Sequence, residues 1–176
     1  MSEIKWKEDA AHTQVQFKAK HMMISTVVGE VKDFEVAVTT EEYDFSTAKA
    51  VFKARVDSIE TKNKQREAHL HSSDFFDKEN YPEIIFESTN IQKLDDEEFT
   101  MIGNLTMRGV TKEISLNVEF GGMVSAEEGK KRAGFEIKGK VNRKDYGMEF
   151  NALTEAGGMV VSDTIKIAVN LELLEE

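Results

Sequence analysis

Apolar and polar side chains alternate with a period of two along most of this chain. The clearest run is the last one, where Ile165, Ile167, Val169, Leu171 and Leu173 alternate with polar or small residues. Similar runs precede it at 15–19, 28–38, 48–56, 114–120 and 135–141. Successive side chains of a strand point to opposite faces, so each run predicts a strand with one apolar and one wet face. Ile84–Ile91 and Phe99–Leu105 complete a set of eight predicted strands.

The glycines indicate how these strands are arranged. Ten of the 11 glycines lie from Gly103 onward, both in turns and inside predicted strands, as at Gly134 and Gly139. A glycine inside a strand often marks a bend or bulge at which a sheet curls. Bent strands with one apolar face favour an all-β, eight-stranded antiparallel barrel, because closure removes the sheet edges. A two-sheet sandwich fits the alternation as well and stays open.

Two segments interrupt the strand pattern. Thr61–His71 contains good helix formers without alternation, so we predict a short helix there, between the third and fourth strands. His21–Thr26 separates the first two strands and is predicted to form a further helical turn. We find no linker or internal repeat, and residues 1–176 are predicted to form a single domain.

Composition and charge narrow the choice of partners. The chain has no cysteine and a formal charge of −10, from 23 basic and 33 acidic residues. An acidic surface repels phosphate groups, so nucleic acids and anionic membrane surfaces are disfavoured as partners. No segment approaches the ~20 apolar residues of a spanning helix, and no stable membrane insertion is expected. We expect a cytoplasmic protein, or a periplasmic one if a signal sequence has been removed.

The histidines suggest the one enzymatic alternative. His69 and His71 could bind a metal with Asp74 or Asp77 if the segment were extended, but on a helix residues two apart do not share a face. We therefore predict no metal, no cofactor and no catalytic residues. A hydrolase or isomerase that uses His69 with Asp74 or Asp77 is the less favoured reading.

Arg143 follows the predicted seventh strand and allows two interpretations. Its guanidinium could lie at the mouth of a cavity and hold an anionic or carbonyl head group. Alternatively it forms an ion pair with a loop carboxylate such as Asp145 or Asp163, which the acidic excess favours.

The inward apolar side chains are the strongest candidates for function. An eight-stranded barrel is wide enough either to fill with side chains or to hold one small ligand. The small residues Ala48, Ala50 and Ala54 leave room on the apolar face. A barrel with a filled core that acts through its surface, for instance in a stress response, remains the second reading.

Several segments resemble, in order, the motifs of the YceI-like family of lipocalin-like polyisoprenoid-binding proteins. The most informative is Arg66–Thr89, R-E-A-H-L-H-S-S-D-F-F-D-K-E-N-Y-P-E-I-I-F-E-S-T. The others are D-A-A-H-T at residues 9–13, G-N-L-T-M-R-G-V-T-K at 103–112, N-R-K-D-Y-G-M at 142–148 and V-S-D at 161–163.

The resemblance implies a lipocalin-like barrel that holds a long isoprenoid or similar amphiphilic lipid in an apolar tunnel. It also implies transport, storage or sequestration instead of turnover, and a homodimer. We predict that the tunnel is lined by apolar side chains of one parity: Phe17, Phe34, Phe52, Phe86, Phe135, Ile137, Ile165 and Ile167. Arg66, His69 and Arg143 are the candidates for the head-group end.

Overall fold

The computed structural model describes residues 2–151 and 161–176. Within them, eleven strands form one antiparallel sheet and one α-helix lies outside it. The strands are β1 (Glu3–Glu8), β2 (Gln14–His21), β3 (Ser25–Val31), β4 (Phe34–Glu41), β5 (Asp44–Arg55), β6 (Ile59–Glu60), β7 (Glu83–Lys93), β8 (Glu98–Met107), β9 (Val110–Ser125), β10 (Lys131–Asn142) and β11 (Thr164–Glu175). The helix is α1 (Lys64–His71).

Eight of these strands close into a barrel. Their order is β1-β4-β5-β7-β8-β9-β10-β11, and β11 returns to β1 through the pairs Trp6↔Glu175 and Glu8↔Leu173. After a 3₁₀ turn at Ala10–His12, β2 continues along β11, and β3 and β6 extend the sheet beyond it. The predicted antiparallel eight-stranded barrel is thus confirmed, and the sandwich alternative is wrong.

The structure differs from the predicted elements in three places. β1 was not predicted, although Ile4 and Trp6 alternate with charged residues and Trp6 is buried in the core. The single strand predicted over residues 28–38 is two strands, β3 and β4, which a break at Lys32–Asp33 separates. The helical turn predicted at His21–Thr26 is wrong, because His21 ends β2, Ser25 and Thr26 begin β3, and only Met22–Ile24 form the tight turn between them.

The predicted helix is confirmed with a later start. α1 begins after Asn63, whose side chain accepts a hydrogen bond from the Arg66 amide at 2.9 Å. The Glu67 carboxylate accepts from the amides of Thr61 and Asn63, each at 3.1 Å. These bonds satisfy amides at the helix entry that have no intrahelical partner. No helix in the described ranges is long and apolar enough to cross a bilayer.

Glycines shape the sheet at two positions, a bulge on β9 and a close ring contact on β3. A register shift between Gly134 and Phe135 leaves an extra residue on β9, where Gly122 has a φ of 128°. This bulge bends the wall at the position where the sequence predicted a bend. On β3, the Phe17 ring lies directly over Gly29, and a Cβ on Gly29 would come within 2.1 Å of it.

Aromatic side chains fill the barrel at one end. We call this the lower end, because it carries the chain termini and the β4–β5 turn. Phe45 lies at its centre, with ring centroids 5.1 Å from Trp6 and 4.9 Å from Phe135. Phe120 packs on Phe135 at 5.3 Å. The lower end of the barrel is therefore a packed core.

The opposite, upper end is capped by the segments that connect the strands. α1 and the loop after it form one part of the cap, and the described residues between β10 and β11, 143–151 and 161–163, form another. Phe75, Phe76, Tyr146 and Met148 of these segments are buried. Phe76 meets Phe17 of the barrel wall edge-to-face at 6.2 Å.

Candidate functional site

An apolar cavity of about 170 Å³ lies inside the barrel. All eight closing strands except β1 contribute side chains to it, and β2 adds Val15. Among the described residues that line it, Thr13 is the one polar residue. A dry cavity lined in this way favours hydrocarbon over water, which would need two to four polar partners.

Small side chains on β5 help to keep the cavity open. Ala48 and Ala50 line it and are half-buried although they face the barrel interior. Phe52, Ile137 and Val169 also line it and are half-buried. Ala54, the third small residue predicted to leave room, is instead fully packed and does not line the cavity. The barrel is therefore hollow at the level of Ala48 and Ala50 and filled toward both ends.

Five of the eight apolar residues predicted to line a tunnel do line this cavity. They are Phe52, Phe86, Phe135, Ile137 and Ile167. Phe17, Phe34 and Ile165 do not line it, and a ligand contact for these three residues stays a prediction. The Phe17 ring packs against Phe76 and over Gly29. The Phe34 ring stacks on Phe52, with ring centroids 6.2 Å apart. Ile165 packs against the core near the start of β11.

Most of the remaining lining residues were not singled out from the sequence. Val36, Met101, Leu116 and Leu171 are examples, each on the apolar face of a predicted strand. Alternation distinguishes the inner from the outer face of a strand. It does not distinguish the hollow level of a barrel from its packed ends.

Arg143, a candidate for the head-group end, is buried in the upper cap and does not line the cavity. Its Nε donates to the Ser162 carbonyl at 2.9 Å, and Nη1 donates to the carbonyls of Met148 and Phe150, each at 2.7 Å. Nη2 lies 3.6 Å from the Asp163 carboxylate. Burial lowers the pKa of the Arg143 guanidinium, and Asp163 opposes that effect. This geometry agrees with the interpretation of Arg143 as part of a loop ion pair. It does not agree with a guanidinium that is free to bind a ligand head group.

Arg66 and His69 also lie outside the cavity lining. The Arg66 guanidinium hydrogen-bonds the hydroxyl and the carbonyl of Thr61. His69 Nε2 lies 2.8 Å from an Asp74 carboxylate oxygen, and its ring packs edge-to-face on Phe75 and Phe150. These contacts hold the cap in place, and a head-group role for either residue stays a prediction.

The enzymatic alternative gains no support from the histidines. His71 Nε2 lies 3.1 Å from the Ile59 carbonyl oxygen, on a different side of α1 from the His69–Asp74 pair. In the described ranges, no hydroxyl or amine hydrogen-bonds the second ring nitrogen of His69, as an activated nucleophile would require. The predicted pairing of His69 with Asp74 is present, in a ring that packs on Phe75 and Phe150 of the cap.

One group of side chains has the spacing of a metal site. Asp9, His12 and Glu172 bring their ligand atoms within 4.8 Å of one another. Arg132 occupies the same place, with Nη1 at 2.5 Å from Asp9 and 2.7 Å from Glu172. The guanidinium already supplies the positive charge that a metal would bring, so this group is an ion-pair cluster.

Three side-chain atoms in the upper cap are buried without a hydrogen-bond partner among the described residues: Arg108 Nε, the Tyr146 hydroxyl oxygen and Asp163 Oδ1. The Tyr146 hydroxyl makes no hydrogen bond to any of the described residues. Burial, with a smaller contribution from Asp145, raises the pKa of Tyr146 to about 12, so its phenol stays protonated at neutral pH. The residue therefore offers a neutral donor inside the cap.

A family model for the YceI-like domain matches residues 6–173. The chain belongs to the YceI-like family. This YceI-like chain is 36% identical to a UPF0312 protein of Staphylococcus aureus (strain N315) over 165 residues, 93% of this chain and 94% of the relative.

Solved structures agree with the barrel. The Campylobacter jejuni YceI protein is 34% identical, with a TM-score of 0.78 over 96% of each chain. Burkholderia cenocepacia BcnA has a TM-score of 0.81 at 19% identity, covering 94% of this chain and 98% of BcnA. A polyisoprenoid-binding domain from Saccharophagus degradans has a TM-score of 0.66 at 14% identity, over 97% and 98% of the two chains. The last two similarities concern the fold alone.

Proposed function

We propose that this YceI-like protein binds a long-chain isoprenoid or a similar amphiphilic lipid inside its barrel, for transport, storage or sequestration. The observation that carries the proposal is the hollow level at Ala48 and Ala50, where the described lining residues are apolar except for Thr13. A side-chain-filled barrel would have no such space. The family and the barrel fold favour a binding protein over an enzyme.

Hydrocarbon burial supplies enough free energy for this function. Each methylene removed from water contributes about 0.8 kcal/mol, so a few isoprene units bind without a charged contact. The Saccharophagus degradans protein with the same fold is a polyisoprenoid-binding domain, which supports the same ligand class for this chain. The Tyr146 hydroxyl lies in the cap outside the cavity lining, and it is a candidate partner for a polar head group that reaches the cap, since it is buried without a hydrogen bond to any described residue.

The first test is mass spectrometry of an organic extract from the natively purified protein. We expect a stoichiometric isoprenoid or other long-chain amphiphile. As a second measurement, added polyprenyl alcohols should raise the unfolding temperature, because a ligand that binds only the folded state stabilises it. An empty extract together with no thermal shift would favour the surface-acting barrel instead.

A cavity-filling variant links the binding to this space. Ala50→Leu adds side-chain volume at the hollow level, and we expect it to reduce lipid binding at least tenfold. Ala37→Leu is the matched control, because Ala37 is exposed on the outer face of the adjacent strand β4. Circular dichroism should show that both variants fold. Equal lipid binding by the two variants would contradict a site inside the barrel.

A further inference from the structure

Three lysines lie side by side on the outer wall of the barrel. Lys166 of β11 pairs directly with Lys18 of β2 on one side and with Lys140 of β10 on the other. All three occupy positions of outward parity, because Ile165 and Ile167 on either side of Lys166 pack against the core. Like charges directly opposite one another on neighbouring strands destabilise a sheet. The row therefore costs stability.

Two further lysines extend this row into a basic face. Lys20 follows on β2 and Lys138 on β10, and both are exposed. Within the described ranges, none of the five lysines forms an ion pair with a carboxylate. Glu136 is the nearest acidic position of the same parity on β10, at the lower border of the face. The chain has a net charge of −10, so five lysines without an ion pair on three adjacent strands form a local surface of the opposite sign.

The hairpin above this face ends in apolar side chains. Met22, Met23 and Ile24 connect β2 to β3, and Ile24 is 84% exposed. Met22 and Met23 have φ values of 52° and 60°, and the Ile24 amide donates to the His21 carbonyl at 3.1 Å. Two successive positive φ values suit a type I′ hairpin turn, for which Asn-Gly is strongly preferred. Methionines are poor turn residues here, so local folding does not explain them.

The basic face and the hairpin tip are continuous. Val28 of β3 is exposed and pairs directly with Lys18, so apolar surface begins beside the lysine row. Lys18 and Met22 are four residues apart, about 13 Å along an extended strand. Both features can therefore contact one surface at the same time.

We propose that this side of the barrel docks on the surface of an anionic lipid bilayer. The lysines of β2, β10 and β11 meet the phosphate head groups, and the Met22–Ile24 tip enters the boundary with the acyl chains. Interfacial binding combines buried apolar area with attraction to anionic lipid, and this face offers both. A nucleic acid would satisfy the lysines, but it gives no reason for an exposed Ile24 beside them.

The total charge of the protein does not oppose such docking. Interactions between exposed charges are screened beyond about 8 Å at physiological ionic strength, so the local lysines dominate at contact. Each lysine near an anionic leaflet strengthens binding about fivefold. The contact is peripheral and lies outside the barrel cavity, so the proposal goes beyond the lipid-binding function and does not depend on it.

The test is co-sedimentation with phosphatidylcholine vesicles that contain or lack phosphatidylglycerol. We expect the protein to bind the anionic vesicles, and high salt to release it. The triple variant Lys18→Gln/Lys140→Gln/Lys166→Gln should weaken binding by roughly tenfold or more. The matched triple variant Lys5→Gln/Lys49→Gln/Lys53→Gln removes the same charge from exposed positions on β1 and β5 and should bind as the wild type does.

The hairpin tip is tested separately with a fluorescent label. Because the chain has no cysteine, Ile24→Cys accepts an environment-sensitive dye at one position. Its emission should shift to the blue on anionic vesicles, while a dye on Val124→Cys, an exposed position near the lower end of β9, should not shift.

Three results would overturn the proposal. They are no binding of the wild type to anionic vesicles, equal losses in both triple variants, and equal dye shifts at positions 24 and 124. Binding of RNA or DNA that depends on the Lys18 row, with no vesicle binding, would assign the face to nucleic acid instead. Lipid extraction remains a separate measurement, so each proposal can fail alone.

Discussion

At the scale of single residues, Arg143 determines how the upper cap is held together. Its guanidinium donates to the carbonyls of Ser162, Met148 and Phe150 and lies beside Asp163. Backbone carbonyls in a loop have no ladder partners, so a buried planar donor that reaches several of them fixes the path of the loop. The Arg143 guanidinium, which could have bound a ligand head group, is thus hydrogen-bonded to the protein's own carbonyl groups.

We expect Arg143→Gln to destabilise the protein by about 3 kcal/mol, because it leaves several buried carbonyls and the Asp163 carboxylate without their partner. Guanidinium unfolding curves measure the difference. Lys144→Gln is the control, since Lys144 also lies near Asp163, at 3.4 Å, but is exposed and should change stability by less than about 1 kcal/mol. A stable Arg143→Gln protein with weakened lipid binding would instead support the head-group role.

At the scale of elements, the junction between β1 and β2 depends on the ion-pair cluster at Asp9. The 3₁₀ turn at Ala10–His12 breaks the strand there, and Asp9 caps this turn by accepting from the Ala11 amide at 3.1 Å. Arg132 of β10 then joins Asp9 to Glu172 of β11. The cluster therefore fastens the amino-terminal strands to the barrel seam.

This junction predicts a pH-dependent contribution to stability. The hydrogen bond from Arg132, together with the one from His12, lowers the pKa of Asp9 below its usual value of about 3.9. A lowered folded-state pKa contributes stability above the unfolded value, and the contribution is lost as the pH falls through the folded value. Asp9→Asn should thus cost about 1 kcal/mol at neutral pH and progressively less below about pH 4.

Urea unfolding of Asp9→Asn and wild type across this pH range tests the expectation. Asp96→Asn serves as the control, because Asp96 is 98% exposed in the β7–β8 turn and its ion pair with Lys93 should contribute little. A cost that stays constant from neutral to acid pH would contradict a role for the charge of Asp9, since asparagine keeps a side-chain oxygen that can accept from the Ala11 amide.

The strands were predictable because the barrel buries one face of each. Ile165–Leu173 alternates through a whole strand, and the structure places this run in β11. β1 also alternates, at Ile4 and Trp6, but six residues at the chain start are a weak signal. β6 has two residues and no detectable period. What alternation cannot show is where a strand stops and resumes, as at Lys32–Asp33.

The candidate site was predictable only in part, for a geometric reason. Phe52 and Phe86 lie on the cavity, while Phe17 and Phe34 share the same inward pattern and pack in the filled region. The difference depends on what lies across the barrel from each ring. For Phe17 that neighbour is Phe76, which follows α1 some sixty residues later. Such contacts between distant segments leave no trace in local periodicity.

At the scale of the whole molecule, net charge was a poor guide to the surface. A total of −10 disfavoured nucleic acids and anionic membrane surfaces as partners, yet the register of β2, β10 and β11 gathers Lys18, Lys140 and Lys166 into one row. Charge is summed over the chain, whereas binding depends on the few residues within a screening length. Strand pairing determines that arrangement, so it emerges only with the fold.

The size of the cavity makes a last prediction, on ligand length. A volume of about 170 Å³ is close to that of a 150 Å³ engineered cavity that binds benzene, so it fits only a short apolar segment as it stands. Affinity for geraniol, farnesol and geranylgeraniol should rise by roughly tenfold or more per isoprene unit while added methylenes are buried. It should level off where the chain would have to displace the packed Phe45 cluster or the Phe76 cap. Titration calorimetry measures the series, and Ala50→Leu should move the plateau to shorter chains, whereas Ala37→Leu should not. A plateau at the same length in both variants would place the bound chain outside the barrel.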